Sequence, residues 1–140
     1  MNEIFNLCCA IISFIANMLH LTYAECNILI FLYILPTIYL LSSVGMILSG
    51  FFKRSWILKI LCIVAACWLG LYELEYLFTN ITTYTLSQES FDKAVLMLQD
   101  QANILGCSYQ VINILEFCIF PIIYLSFKML CICLGNKHGQ

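Results

Sequence analysis

Four continuous apolar runs divide this chain, and their length constrains the fold more than any other feature. They cover positions 4–24, 27–51, 56–78 and 107–134. A helix needs about 20 apolar residues to cross the roughly 30 Å of hydrocarbon in a bilayer, so each run is long enough. Only 10% of residues are charged and 63% are hydrophobic, whereas soluble domains carry about 25% charged residues. The sequence predicts an all-α, four-helix transmembrane bundle that forms a single integral membrane domain over 1–140.

Two other interpretations of these runs are open. Many isoleucines would suit strands, but a membrane barrel has short alternating segments and these runs are continuous. The first run could be a signal peptide. Its N-terminal flank holds Glu3 and no basic residue, and no small-x-small cleavage site follows. We therefore expect helices, and we expect the first one to be retained.

The charges predict an orientation. Five of the six basic residues fall on one side of the four-span topology: Lys53, Arg54, Lys59, Lys128 and Lys137. The other side receives the loop 79–106, which carries Glu89, Asp92 and Asp100 with Lys93. Basic residues near helix ends favour the cytoplasm. This pattern predicts a multi-pass protein of the plasma membrane or an endomembrane, with both termini cytoplasmic.

The loop 79–106 contains a predicted helix. Ser87 is a candidate N-cap, Glu89 lies in the first turn, and Gly106 is a suitable stop. Apolar residues recur at helical spacing between them: Phe91, Val95, Leu98, Ala102 and Leu105. These signals predict a short amphipathic outer helix between spans three and four. Its apolar side would lie on the bilayer surface, on its own bundle or on a partner protein, and its own bundle is the default.

Small residues and prolines give weaker signals. Two pairs have the four-residue spacing that lets helices approach closely: Gly45 with Ser49, and Ala66 with Gly70. We expect them to pack spans two and three together. Pro36 and Pro121 should each bend a span. No linker, low-complexity tract or clear internal repeat is visible.

Nine cysteines are distributed unevenly. Cys26 and Cys107 fall at the outer face, so we expect a disulfide between them, the alternative being two buried thiols. Four others lie near the inner ends of spans one and four and are candidates for palmitoylation: Cys8, Cys9, Cys131 and Cys133. Cysteine is also an ordinary apolar residue, so this second signal is weak.

Polar residues within the apolar runs are the candidate functional residues, because an ionisable group in hydrocarbon is costly. They are Asn17, His20, Glu73, Glu75, Asn113 and Glu116. Asn17 shares a helix face with His20, and Asn113 with Glu116, which predicts a polar layer joining spans one, three and four. Such a layer could be an ion relay or ligand pocket, or could supply interhelical hydrogen bonds, which we favour. Glu116 could also meet a basic residue of a partner subunit.

The remaining motifs narrow the function classes. Asn80-Ile81-Thr82 is a glycosylation sequon close to the end of span three. The sequence contains no phosphate-binding loop, no HExxH and no basic stripe. His20 and His138 lie in no metal-ligand pattern. We expect no enzymatic activity, no cofactor, no metal and no nucleic-acid partner.

In layout the chain resembles tetraspan membrane proteins, with cytoplasmic termini, a tiny first outer loop and a larger second one. The resemblance is one of topology, because the Cys-Cys-Gly of tetraspanins and the Trp with paired Cys of claudins are absent. We expect a non-enzymatic accessory, assembly or junction component that binds other membrane proteins, as a hetero-complex or homo-oligomer, through its amphipathic outer helix and its tight helix surfaces. The alternative is a small channel or transporter with a polar path near Asn17, His20, Glu73, Asn113 and Glu116.

Overall fold

The computed structural model describes residues 2–50 and 56–137 as an all-helical protein without a strand in those ranges, and 92% of those residues are helical. The all-α prediction is confirmed. Five helices follow one another, and two of them contain a π-helical segment. They are α1 (Asn2–Leu19), α2 (Tyr23–Asn27, Ile28–Ile34 and Leu35–Gly50 in sequence), α3 (Trp56–Thr83), α4 (Gln88–Leu105) and α5 (Tyr109–Ile114, Leu115–Ile119 and Phe120–Lys137).

Within the residues that the structure describes, two of the helices are long and apolar enough to cross a membrane. These are α2, over Tyr23–Leu48, and α5, over Tyr109–Cys133. The apolar part of α1, Glu3–Leu19, is shorter. Length and composition alone support these statements, and they agree with the second and fourth predicted runs.

A similar capping arrangement starts both long helices. The Thr22 side chain accepts a hydrogen bond from the backbone N–H of Glu25, and the Glu25 carboxylate accepts one from the backbone N–H of Thr22. Ser108 caps α5 by accepting from the backbone N–H of Val111. Each cap satisfies donors that an exposed helix start would leave unpaired.

A buried proline follows each π-helical segment. Ile28–Ile34 precedes Pro36, and Leu115–Ile119 precedes Pro121. Proline has no N–H and its ring clashes with the carbonyl one turn earlier, so the ordinary hydrogen-bond register fails there. The wider π turn is a known local adjustment within a helix. The sequence predicted a bend at both prolines, and the structure has a π-helical segment just before each of them.

The helices α2 and α5 run parallel and in close contact. Phe31 meets Phe117 with ring centroids 4.3 Å apart, and further along Tyr39 meets Tyr124 at 5.0 Å. From the first pair to the second, the residue number increases on both helices, so the two helices run in the same direction. Near the far end, a Cβ on Gly45 would lie only 3.2 Å from Ile132 Cδ1. The missing side chain therefore lets α5 approach α2.

The helix α3 packs antiparallel on α2. Gly70 faces Ser43, and ten residues later Asn80 donates from Nδ2 to the carbonyl of Leu32 at 3.2 Å. Ala66 is buried at 1% exposure. The predicted close packing of spans two and three thus involves Ala66 and Gly70, whereas Gly45 contacts α5 instead.

The helices α1 and α4 lie at one end of the α2–α5 pair, which we call the tyrosine end after Tyr23 and Tyr109. Phe5 of α1 contacts the Tyr109 ring at 6.1 Å, and Phe91 of α4 contacts the Tyr23 ring at 5.9 Å. The predicted helix in the loop is confirmed as α4. Its Ser87 N-cap forms as expected, and Gly106 ends it at a left-handed φ of 65°.

Candidate functional site

A buried ion pair joins α3 to α5. The Lys128 side chain is 0% exposed and the Glu73 side chain 4%. Lys128 Nζ donates to Glu73 Oε1, to Ser43 Oγ at 2.7 Å and to the Tyr39 carbonyl at 2.8 Å. Each of the three N–H groups of Lys128 therefore has an acceptor, two of them on α2 and one on α3.

The carboxylate of this pair is equally well satisfied. Glu73 Oε2 accepts from Ser43 Oγ at 2.6 Å, and Oε1 accepts from Tyr124 Oη at 2.5 Å. The Tyr124 ring also lies 4.5 Å from Lys128 Nζ, within cation–π range. Among the described residues, no buried side-chain nitrogen or oxygen lacks a partner. A buried ion pair persists only when its remaining hydrogen bonds are made, and here they are.

This placement corrects the role predicted for Lys128. The sequence assigned its charge to the cytoplasmic surface, but α5 continues to Lys137 and the Lys128 side chain enters the bundle. Its counter-charge on α3 is the reason. Lys53 and Arg54 lie outside the described residues, as do the side chains of Lys59 and Lys137. The sequence signal that could have found the pair was a lysine inside the fourth apolar run and an acid inside the third.

A cavity of about 410 Å³ opens beside the ion pair. It lies between α3 and α5, with α2 as its floor. Aromatic side chains and two carboxylates dominate its wall: Phe31, Tyr39, Tyr72, Glu73, Tyr76, Glu116, Phe117, Phe120 and Tyr124. Its volume falls in the range of small-ligand pockets, about 300–1,000 Å³.

Glu116 is the carboxylate of this cavity that has no ion-pair partner among the described residues. It lies in the π-helical segment of α5 and is exposed. Across residues 2–50 and 56–137, ion pairs form only between Lys128 and Glu73 and between Lys93 and Glu89. The cavity therefore combines a neutralised carboxylate at one point with an unpaired one at another.

The other predicted intramembrane polar residues do not join this site. Asn17 is exposed on α1, and His20 is exposed in the turn after it with a φ of 56°. Asn113 donates to the Tyr109 hydroxyl at 3.2 Å and lines a separate cavity of about 40 Å³. Glu75 is exposed on α3. The polar layer predicted across spans one, three and four does not form, because Asn17 and His20 are exposed and Asn113 pairs with Tyr109, although Cys8 of α1 reaches the segment that carries Glu116.

The predicted Cys26–Cys107 disulfide is absent, and both residues are free thiols. Cys26 is 0% exposed and its Sγ donates to the Ile12 carbonyl at 3.7 Å. Cys107 packs instead with Leu98, Ala102 and Ile112. The two sulfurs belong to separate apolar clusters, so the alternative of two structural thiols describes them.

The modification candidates have mixed environments. Cys8 Sγ lies 3.5 Å from Cys118 Sγ, and Cys9 Sγ accepts from the Tyr23 hydroxyl at 3.4 Å. Cys131 is half-buried and Cys133 is exposed. Asn80 is 4% exposed, and its amide donates to Leu32 inside the helix pair. A glycan on that amide would break this contact.

Comparison with protein families, with curated proteins and with solved structures finds no match to this chain. The part of the chain that the structure describes also holds no group of three or more His, Cys, Asp or Glu arranged to bind a metal ion. The class defined by the fold is therefore an all-helical protein with two helices able to span a membrane.

Proposed function

We propose that this chain is a multi-pass membrane protein that acts by binding another membrane protein, as an accessory, assembly or junction component without catalysis of its own. The observation that carries the proposal is Glu116, an unpaired carboxylate in an aromatic cavity of a membrane-spanning helix. An ionisable group at such a position is costly unless it meets a partner. A lysine or arginine of a second membrane protein would supply that partner.

The helix arrangement supports a multi-pass interpretation. Because α2 and α5 run parallel, the chain must return between them, and α3 supplies the return with its 28 residues. The sequence predicts a fourth crossing by α1. The contacts of α1 decide whether it makes that crossing.

The shape of the cavity supports a side chain as the ligand. Its opening lies between two helices that face lipid, and tyrosines flank Glu116 on the α2 and α3 sides. A cation that enters would meet a carboxylate and several ring faces, and both interactions strengthen when water is excluded. An arginine or lysine on a neighbouring helix fits this combination.

Glu116→Leu tests the proposal, with Glu75→Leu as the matched control on α3. Native extraction in mild detergent followed by mass measurement should give one defined hetero-complex for the wild type and for Glu75→Leu. The same complex should be lost for Glu116→Leu, because its charged contact is removed. An unchanged complex in Glu116→Leu, or the absence of a second protein from the wild type, would contradict the proposal.

A second candidate is a small channel or transporter for cations. The two carboxylates of the cavity favour it, although Asn17, His20 and Asn113 of the predicted path lie elsewhere. Purified protein in liposomes should then conduct cations, and Glu116→Gln should reduce the flux. Sealed, non-conducting liposomes would exclude this second function.

A further inference from the structure

The segment that begins with α1 is repeated in the segment that begins with α4. Half of the positions from 16 to 31 are identical to those from 102 to 117 at a constant separation along the chain. After a deletion of one residue, Pro36-Thr-Ile-Tyr-Leu matches Pro121-Ile-Ile-Tyr-Leu. The identical pairs in the first stretch are Ala16/Ala102, Asn17/Asn103, Leu19/Leu105, Tyr23/Tyr109, Asn27/Asn113, Ile28/Ile114, Leu29/Leu115 and Phe31/Phe117.

The backbone repeats in the same way. Both α1 and α4 have 18 residues. The residue after each helix has a positive φ, and the next N–H reaches back to an equivalent alanine. These pairs are Leu21 N to Ala16 O at 2.9 Å and Cys107 N to Ala102 O at 3.0 Å. This is the hydrogen-bond pattern of a Schellman ending.

Side-chain packing repeats as well. Ile12, Ala16 and Cys26 form one buried cluster. The equivalent residues form the other: Leu98, Ala102 and Ile112. The ring contacts are exchanged between halves, with Phe5 on Tyr109 and Phe91 on Tyr23, at near-equal distances and angles.

Equivalent residues of α2 and α5 meet each other. Phe31 contacts Phe117, Tyr39 contacts Tyr124, and Ser43 contacts Lys128. Such self-pairing occurs on a two-fold axis. The two segments are therefore related by a pseudo-two-fold axis that runs along α2 and α5, as in parallel repeats of transporters. The sequence interpretation, which found no repeat, is wrong on this point.

We propose that α1 is the structural equivalent of α4 and lies along the membrane surface at the tyrosine end. The chain then crosses the bilayer three times, through α2, α3 and α5, and its termini lie on opposite sides. The proposal rests on the membrane location proposed above. Its symmetry argument is that an axis along the membrane normal places equivalent elements at the same depth.

The contacts of α1 agree with a surface position. A helix of 18 residues is about 27 Å long at 1.5 Å per residue. Yet Phe5, near the start of α1, contacts Tyr109, the first residue of α5. Cys9 contacts Tyr23, the first residue of α2. A helix crossing beside α2 would bring Phe5 close to the opposite end. The contact of Cys8 Sγ with Cys118 Sγ at 3.5 Å reaches the π-helical segment of α5, so α1 lies across the tyrosine-end part of the pair and does not run along its whole length.

The surface of α1 has the two stripes that an interfacial helix requires. One exposed stripe is apolar: Ile4, Leu7, Ile11, Phe14 and Met18. A second exposed stripe is largely polar: Glu3, Asn6, Ala10, Ser13 and Asn17. In a crossing helix the second stripe would face hydrocarbon. At the interface it faces water while the apolar stripe enters the lipid.

The charges complete the topology. In the sequence, Lys53 and Arg54 fall between Gly50, where α2 ends opposite Tyr23, and Trp56, where α3 begins. The positive-inside rule places that end in the cytoplasm. The C-terminus then lies inside, while the N-terminus and α4 lie outside. This differs from the predicted four-span topology in the position of α1, which no longer crosses, and in the side occupied by the N-terminus.

Cysteine labelling with a membrane-impermeant maleimide on intact cells tests the proposal. Ser13→Cys probes the polar stripe of α1, Gln99→Cys probes the equivalent position of α4, and Ile38→Cys probes the lipid face of α2. Peptide mass mapping distinguishes the new thiols from native ones. We expect Ser13→Cys and Gln99→Cys to be labelled to within about twofold of each other, and Ile38→Cys to be protected.

The outcomes separate the two proposals. Protection of Ser13→Cys while Gln99→Cys is labelled would overturn the surface position of α1. Labelling of Ile38→Cys would overturn the membrane location itself, and with it the proposed function. Reporter tags at Met1 and Gln140 give an independent check: opposite compartments are expected, and a shared compartment would overturn the three-crossing topology.

Discussion

The helices α2 and α5 share their caps, π-helical segments and prolines, and they differ where charge is concerned. In the repeat alignment, Ile30 of α2 corresponds to Glu116 of α5, and Ser43 corresponds to Lys128. One copy is thus apolar or neutral at both positions and the other is charged at both. The apolar packing of the tyrosine end needs no charge and has remained nearly symmetric. These two charged differences belong to α5 and both contribute to the single site, whereas the reverse difference, Glu25 against Val111, lies in the helix cap.

The helix α3 accounts for the loss of symmetry between α2 and α5 at the charged positions. It packs on α2, and Glu73 extends from it to Lys128. A charge on α5 is tolerated because this acid neutralises it, and the opposite side of the pair has no equivalent helix among the described residues. The difference between the two copies therefore follows from the one helix that the repeat does not include.

Breaking the ion pair should have the largest effect. Lys128→Met leaves Glu73 buried without its counter-charge, and removal of one partner of such a pair costs roughly 3–5 kcal/mol. The double variant Lys128→Met/Glu73→Leu removes both charges and should recover most of that loss. Unfolding in detergent, followed by circular dichroism, measures both free energies of unfolding. If the double variant is as unstable as the single one, the loss of stability comes from losing the ion pair itself and not from leaving a carboxylate unpaired.

The exchanged ring contacts give a direct test of the symmetry. Phe5→Leu and Phe91→Leu each remove one edge-to-face contact with a tyrosine, and such contacts are worth about 0.5–1.5 kcal/mol beyond burial. The two losses should be equal within the error of the same unfolding measurement. A loss for Phe91→Leu with none for Phe5→Leu would show that α1 is not docked as α4 is.

Local signals allowed part of this structure to be predicted from the sequence. Ser87 and Gly106 located α4, and apolar run length located α2 and α5. Hydropathy measures length and composition but not direction, so it does not distinguish a crossing α1 from the surface helix that we propose. The pairing of Lys128 with Glu73 depends on which faces of two helices meet. That information is tertiary, and neither residue carries a local motif for it.

The smallest predicted effect concerns α4, which has an ion pair that α1 lacks. Glu89 lies 2.8 Å from Lys93, whereas the equivalent residues of α1 are Glu3 and Leu7. The hydrogen bond and charge of Lys93 lower the pKa of Glu89 below its ordinary 4.5 and raise the pKa of Lys93 above 10.5. A lowered carboxyl pKa stabilises the helix above pH 4.5, and the gain is lost as the pH falls through the lowered value.

At the alkaline end, the raised pKa of Lys93 keeps the pair intact at pH 10.5 and below, and the contribution is lost as the pH rises through the raised value. Both groups are exposed, so salt should weaken the effect. Carboxyl NMR titration of Glu89 in the wild type and in Lys93→Met should show the pKa return toward 4.5 in the variant. An unchanged titration would contradict the Glu89–Lys93 contact.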